Sequence, residues 1–258
     1  VYLDSSSSVM IKDNKIYNYT TYGTYAESST DINFTGNYID GISGTGYDCI
    51  RFYLSDNNYF TNNYVTDCGW SGLKIYESDN NYIRNFTAEN LGKSYARCLQ
   101  FGHGATSHNN SAYDITCMDV RETGIVIQGY DNLVDGFNIY TDDGNIEQGI
   151  WLFGGDNGII KNGYIDLGGV GGDYGIESYS SDSYGNQFIN ITFNNTSLGV
   201  YASHTNAYNN SLINCSFINS NNYDVYIAGN NWNITNSIFY DTPTNIYLTG
   251  DVDNSTFL

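Results

Sequence analysis

A unit of the form Gly-Ile-x-Ile, in which apolar positions alternate with variable ones, returns through the whole chain at a nearly fixed interval. It reads Cys49-Ile50-Arg51-Phe52, Gly72-Leu73-Lys74-Ile75, Cys98-Leu99-Gln100-Phe101, Gly124-Ile125-Val126-Ile127 and Gly149-Ile150-Trp151-Leu152. It continues as Gly175-Ile176-Glu177-Ser178, Gly199-Val200-Tyr201-Ala202, Asp224-Val225-Tyr226-Ile227 and Asn245-Ile246-Tyr247-Leu248. Successive starts are 23, 26, 26, 25, 26, 24, 25 and 21 residues apart. Alternation with a period of two predicts strands, and no apolar stripe with a 3.6-residue period competes with it. A repeat of this length that cannot bury its apolar side alone predicts a solenoid, each coil packing on its neighbours.

A second register runs in phase. Asn58-Tyr59-Phe60-Thr61-Asn62, Asn81-Tyr82-Ile83-Arg84-Asn85, Asn186-Gln187-Phe188-Ile189-Asn190 and Asn210-Ser211-Leu212-Ile213-Asn214 share the pattern Asn-x-Φ-x-Asn, with Φ apolar. An Asn at one fixed turn of each coil is expected to stack on its neighbours, its amides bonding along the axis. Asn85, Asn190 and Asn214 are expected on that inner ladder. Pro243 is the one proline, so nearly every residue can donate to a strand ladder.

These repeats resemble the right-handed parallel β-helix family, shared by pectin-degrading enzymes, copper-maturation β-helix proteins and surface proteins of archaea and bacteria. The resemblance implies an all-β, right-handed solenoid with three short strands per turn. At about 25 residues a coil the chain makes about ten coils, a rod about 45–50 Å long. One domain is expected over 1–258, with irregular N-terminal coils in 1–45, including Val9-Met10-Ile11 and Ile32-Asn33-Phe34, and regular coils in 46–258.

Nine Lys and Arg against 28 Asp and Glu give a net charge of −19, which disfavours nucleic acid and anionic membranes as partners. No apolar run approaches the roughly 20 residues of a membrane span, so no membrane insertion is expected. The sequence opens at Val1 without Met, and reads as a mature form or an excised domain. Eleven Asn-x-Ser/Thr sequons favour an extracellular or cell-surface location, with the loop sites Asn109, Asn194 and Asn209 as the expected glycosylation sites.

The five cysteines are odd in number, so at least one is unpaired within the chain. Cys49 and Cys98 share a strand column but lie two coils apart, about 9–10 Å, too far for a bridge between them. The cysteines are read as small buried hydrophobes, with Cys215 in or beside the core. No cysteine or histidine spacing predicts a metal. Asp142-Asp143-Gly144 and the Asp251/Asp253 pair are the weak grounds for Ca²⁺, and no other cofactor is indicated.

The third residue of each unit should face outward, giving the column Arg51, Lys74, Gln100, Val126, Trp151, Glu177, Tyr201, Tyr226, Tyr247. A parallel column two residues on contains Tyr53, Tyr76, Phe153 and Tyr179. Three explanations stand for this aromatic stripe: tyrosine's fit to a half-exposed strand, contact with other copies of the chain, or stacking against sugar rings.

Gly102-His103-Gly104 and Tyr47-Asp48-Cys49-Ile50 resemble the Gly-His-Gly and Asp-Asp-Cys motifs of polygalacturonase-type glycoside hydrolases. That resemblance implies carboxylates as acid and base with a supporting His, but Tyr47 stands where an Asp would, and no Asn-Thr-Asp or Arg-Ile-Lys motif is present. The weak catalytic candidates are Asp48, Lys74, Glu77, Arg97 and His103. The composite reading is an extracellular structural protein that self-associates in a cell envelope, surface layer, sheath or filament. The alternative is a carbohydrate-active protein, whether a polysaccharide-binding module, lyase or glycoside hydrolase, meeting extracellular glycans through the groove around those five residues.

Overall fold

The computed structural model describes residues 1–41, 47–92, 95–102, 106–141, 146–169, 172–178, 182–249 and 256–257. The Gly-Ile-x-Ile units build one wall, an eleven-stranded sheet in which each strand pairs in parallel with the corresponding strand of the next coil. It starts at Tyr2–Asp4, continues through Thr24–Glu27, Ile50–Tyr53, Ser71–Tyr76 and Arg97–Phe101, and ends at Thr244–Leu248. The Asn-x-Φ-x-Asn segments build a second, fifteen-stranded sheet, including Tyr59–Thr66, Tyr82–Leu91 and Ser111–Val120. Register is kept from coil to coil: Leu73 pairs with Leu99, which pairs with Ile125, which pairs with Ile150. Eleven strands make ten coil-to-coil steps, matching the expected solenoid. Residues 1–41 already obey this register, Tyr2 pairing with Tyr25 and Tyr25 with Arg51.

Two facing columns explain the glycine of the repeat. An added Cβ on Gly149 would lie 2.8 Å from Ile165 and 2.7 Å from the Gly175 carbonyl; on Gly199 it would lie 2.5 Å from Phe217. The large residues belong to one column of the second sheet, Ala88–Cys117–Ile139–Ile165–Phe193–Phe217 in register. Close packing between the walls therefore puts a small residue opposite a large one.

At two coils the glycine is a cysteine, and the expectation of plain buried thiols is corrected there. Cys49 bridges Cys68, and Cys98 bridges Cys117, each across 19 residues of sequence. Comparing Cys49 with Cys98 tests neighbours along the axis, whereas the bridges run within a coil. Cys215 is unpaired and buried, with burial pushing its thiol up to about 11.

The buried asparagine ladder uses the first Asn of each pattern, while some of the second bond one another on the surface, Asn85 donating to Asn62 at 2.8 Å and Asn190 to Asn162 at 3.1 Å. The backbone amide of Asn58 donates to Oδ1 of Asn81 at 2.9 Å, that of Asn81 to Asn110 at 2.9 Å, and that of Asn110 to Asn132 at 3.0 Å. Gly158 interrupts the row and Asn186 and Asn210 resume it. The placing of Asn85, Asn190 and Asn214 on this ladder is corrected: all three are exposed at corners with positive φ, between 50° and 60°. Asn tolerates the left-handed region that the sharp bend demands, so the second Asn turns the corner while the first fills it.

Candidate functional site

The outer face of the eleven-stranded sheet holds a cleft of about 320 Å³, lined by Asp48, Trp70, Ser71, Lys74, Tyr95, Arg97 and Gln100. Three candidates from the sequence, Asp48, Lys74 and Arg97, thus come together. They come from successive coils: Asp48 lies two residues before the strand whose Ile50 and Arg51 pair with Leu73 and Lys74, and Ser71 of that next strand pairs with Arg97. Glu77 does not line the cleft; it occupies the turn after Tyr76 with φ of 48°. His103 lies outside the described residues, as do Tyr179, Asp142, Asp143, Asp251 and Asp253.

Asp48 is 1% exposed. Its Oδ1 accepts from the backbone amide of Ser71 at 3.1 Å, and among the described residues its Oδ2 has no hydrogen-bond donor, the nearest cation there being Arg51 Nη1 at 4.0 Å. Burial pushes this carboxyl up, against the pull of Lys74, Ser71 and Arg51 in the other direction. Among the described residues, no carboxylate comes within 4.0 Å of Lys74 Nζ; its ammonium lies 4.7 Å from the centre of the Tyr76 ring. Burial lowers the Lys74 ammonium, opposed by Asp48 and reinforced by Arg51 and Arg97. Arg51 itself lies 5.2 Å from the Tyr76 ring centre and donates to the Tyr22 hydroxyl at 3.2 Å.

Two other lining side chains make polar contacts of their own. Gln100 is fully buried, accepting from Ser71 Oγ at 3.1 Å and donating to the Gly102 carbonyl at 2.9 Å. Arg97 Nη2 meets Glu122 Oε2 at 3.0 Å. Trp70 and Tyr95 are exposed at the rim. Tyr95 has φ of 79°, a conformation a bulky residue adopts only when its surroundings hold it there.

The outward column departs from its expected exposure. Gln100 and Val126 are fully buried and Glu177 is 8% exposed. The Arg97 guanidinium reaches to 5.5 Å from the Trp151 ring, across the intervening strand that carries Thr123 and Val126. The remaining aromatics cover one another. Tyr53 packs on Tyr76 at 5.4 Å, Trp151 on Phe153 at 4.9 Å, and Tyr201, Tyr226 and Tyr247 follow at steps of 5.1 and 5.2 Å. Of these rings only Tyr247 counts as exposed.

Beyond the cleft the face becomes acidic. Glu177 is in register with Trp151 on one side and Tyr201 on the other. Burial pushes its carboxyl up to about 7, with a hydrogen bond from Gln148 opposing and Glu147 and Glu122 adding to the rise. Sequence reasoning placed Glu177 on the face but missed this burial, because strand alternation gives the direction of a side chain and not how closely its in-register neighbours, Trp151 and Tyr201, flank it. Among the described residues no group of three or more His, Cys, Asp or Glu is arranged to hold a metal, and no helix is long and apolar enough to cross a membrane. The sequon residues Asn109 and Asn209 are exposed, whereas Asn194 donates to Asp166 at 2.7 Å and to the Tyr164 hydroxyl at 3.1 Å.

A family model described as a right-handed beta helix region matches residues 1–117. No curated protein sequence matches the chain. Among solved structures, a catalytic domain of GH87 alpha-1,3-glucanase in complex with nigerose is similar over 98% of this chain and 50% of its own, at 18% identity and a TM-score of 0.66. A DFA-IIIase from Arthrobacter chlorophenolicus A6 without its lid aligns over 92% of this chain and 66% of its own, at 15% identity and TM-score 0.64. The N-terminal fragment of bacteriophage phi29 gene product 12 aligns over 96% and 46%, at 17% identity and TM-score 0.65. The chain spans about half the length of the glucanase domain. At these identities the likeness is one of fold: the chain is a right-handed parallel β-helix solenoid, an architecture it shares with carbohydrate-active enzymes.

Proposed function

We propose that the protein is carbohydrate-active and binds a glycan on the outer face of the eleven-stranded sheet, with one sugar seated in the Asp48 cleft. The observation that carries this is the pairing, in one cleft, of an Asp48 oxygen without a donor and a Lys74 ammonium without a carboxylate partner among the described residues, under the exposed rings of Trp70 and Tyr95. A sugar hydroxyl donates one hydrogen bond and accepts another, so it satisfies both groups at once, while an aromatic rim covers the C–H face of the ring. The likeness in fold to a glucanase and a DFA-IIIase favours this reading over a surface-assembly subunit. Two disulfides support a place outside the reducing cytoplasm.

Hydrolysis of the bound glycan is the second reading, favoured by one feature. Asp48 is a carboxyl pushed towards its protonated form, and Glu122 lies beyond Arg97 on the same face, so an acid and a second carboxylate flank the cleft. The test is a panel of neutral and acidic polysaccharides, scored for binding and for new reducing ends, with wild type and Asp48→Asn side by side. Binding lost in Asp48→Asn supports the site, and equal binding by both proteins moves it elsewhere. An assembly role predicts instead large species in sedimentation that Tyr226→Ser disperses.

A further inference from the structure

We infer that the two disulfides are positioning elements of the cleft, so that opening them loosens the ligand site while the rest of the solenoid stays folded. Apart from Lys74, every described residue lining the cleft lies within three positions of a bridged cysteine. Cys49 directly follows Asp48, and its partner Cys68 stands two residues before Trp70; Cys98 directly follows Arg97.

The bridges are not what a coil needs in order to form. Where the small-residue column carries Gly124, Gly149, Gly175 and Gly199, the opposite wall supplies Ile139, Ile165, Phe193 and Phe217, and the gap is filled by packing alone. Cys98 facing Cys117, which stands in that large-residue column, fills the same gap and adds a covalent tie; in the other tied coil the column residue is Val65, and Cys68 makes its tie to Cys49 from three residues further on. Cys215 shows the other use of the residue, as an unpaired group buried in the core. In a solenoid each coil is stabilised by its immediate neighbours, so a tie within one coil acts locally. The tied coils are the two that supply Asp48 and Arg97, and the coil between them supplies Lys74. Holding the outer two therefore fixes the separation across which a ligand must bridge. Opening each bridge with a dithiol takes two electrons and two protons, giving two cysteine thiols and the cyclic disulfide of the reagent.

The part of this inference that concerns a ligand rests on the proposed glycan site; the positioning does not. The protein's own packing supplies the first variant, Cys98→Gly with Cys117→Ile, which replaces a bridge by the arrangement of the neighbouring coils; Cys49→Gly with Cys68→Val removes the other bridge. Backbone amide exchange is followed in the cleft strands 71–76 and 97–101 and in the distant strand 187–194, together with affinity for whichever glycan the panel identifies. The expected result is exchange at least tenfold faster in the cleft strands, unchanged exchange in 187–194, and at least tenfold weaker glycan binding. Oxidised wild type treated with dithiothreitol should show the same local change and recover on reoxidation, which covers the case of a variant that does not fold. Equal acceleration in all coils would make the bridges general staples, and no acceleration would remove any positioning role. If no glycan binds even wild type, the glycan site fails, and the exchange pattern still decides the positioning.

Discussion

The backbone amide of Ser71 donates to Oδ1 of Asp48 across 3.1 Å, from the next strand of the sheet, and leaves Oδ2 without a donor among the described residues. The bond fixes the carboxyl plane, so the open oxygen keeps one direction. Removing the charge but not the shape should thus damage recognition more than folding. Asp48→Asn is predicted to weaken glycan binding at least tenfold, about 1.4 kcal/mol, with an unchanged or raised melting temperature at pH 8. The sign for stability follows from burial, which raises this carboxyl in the folded state and makes its ionisation a cost to folding.

Glu177 gives a pH signature. Its carboxyl titrates near 7 in the fold against an ordinary value of 4.5. The folded state therefore holds a proton that the unfolded chain releases, and this stabilisation is complete below about 4.5 and lost as pH rises through about 7. The shift corresponds to about 3 kcal/mol at 1.36 kcal/mol per unit. The melting temperature should fall between pH 5 and pH 8, and Glu177→Gln should flatten most of that slope. A slope unchanged by the substitution would assign it to Asp48 and Glu122, which burial also raises.

The facing columns predict intolerance to a single methyl group. Gly149→Ala pushes a Cβ against Ile165 and the Gly175 carbonyl, and should cost about 1–3 kcal/mol. Gly92→Ala, where no atom of the described residues lies within 4 Å of the added one, is the matched control and should leave the midpoint of denaturant unfolding in place.

The asparagine ladder should be equally sensitive. Asn81 Oδ1 accepts from both the backbone amide and the side-chain amide of Asn58, at 2.9 and 3.0 Å. Asn81→Ala strands the backbone donor of Asn58 in a buried corner, while its side-chain amide keeps the Ser55 carbonyl at 2.9 Å, and is predicted to cost about 1–3 kcal/mol, read as a shift in the same unfolding midpoint.

The solenoid was legible because its cause is local: the alternation of Ile50, Phe52, Leu73 and Ile75 sets the strands, and the period sets the stack. The cleft was legible in part, since Asp48, Lys74 and Arg97 share a face by register alone. Two things were not. The bridges of Cys49 to Cys68 and Cys98 to Cys117 depend on which residues oppose each other across the coil, and that pairing runs between two different sheets. The signal was present in the two equal spacings of 19 residues, each starting in the glycine column. The burial of Gln100, Val126 and Glu177 is not encoded by strand alternation; at Val126 the Arg97 guanidinium and the Trp151 ring meet across its strand. The double role of Asn in the pattern Asn-x-Φ-x-Asn separates only once the backbone is seen, with Asn81 buried in the ladder and Asn85 exposed at a left-handed corner.

The most direct test of the Asp48 cleft is calorimetric titration of wild type and Asp48→Asn with the same set of neutral and acidic polysaccharides. The account predicts that at least one glycan binds wild type and loses tenfold or more in affinity in the variant, with the fold retained. A glycan that binds both proteins equally, or a set from which none binds wild type, would contradict it.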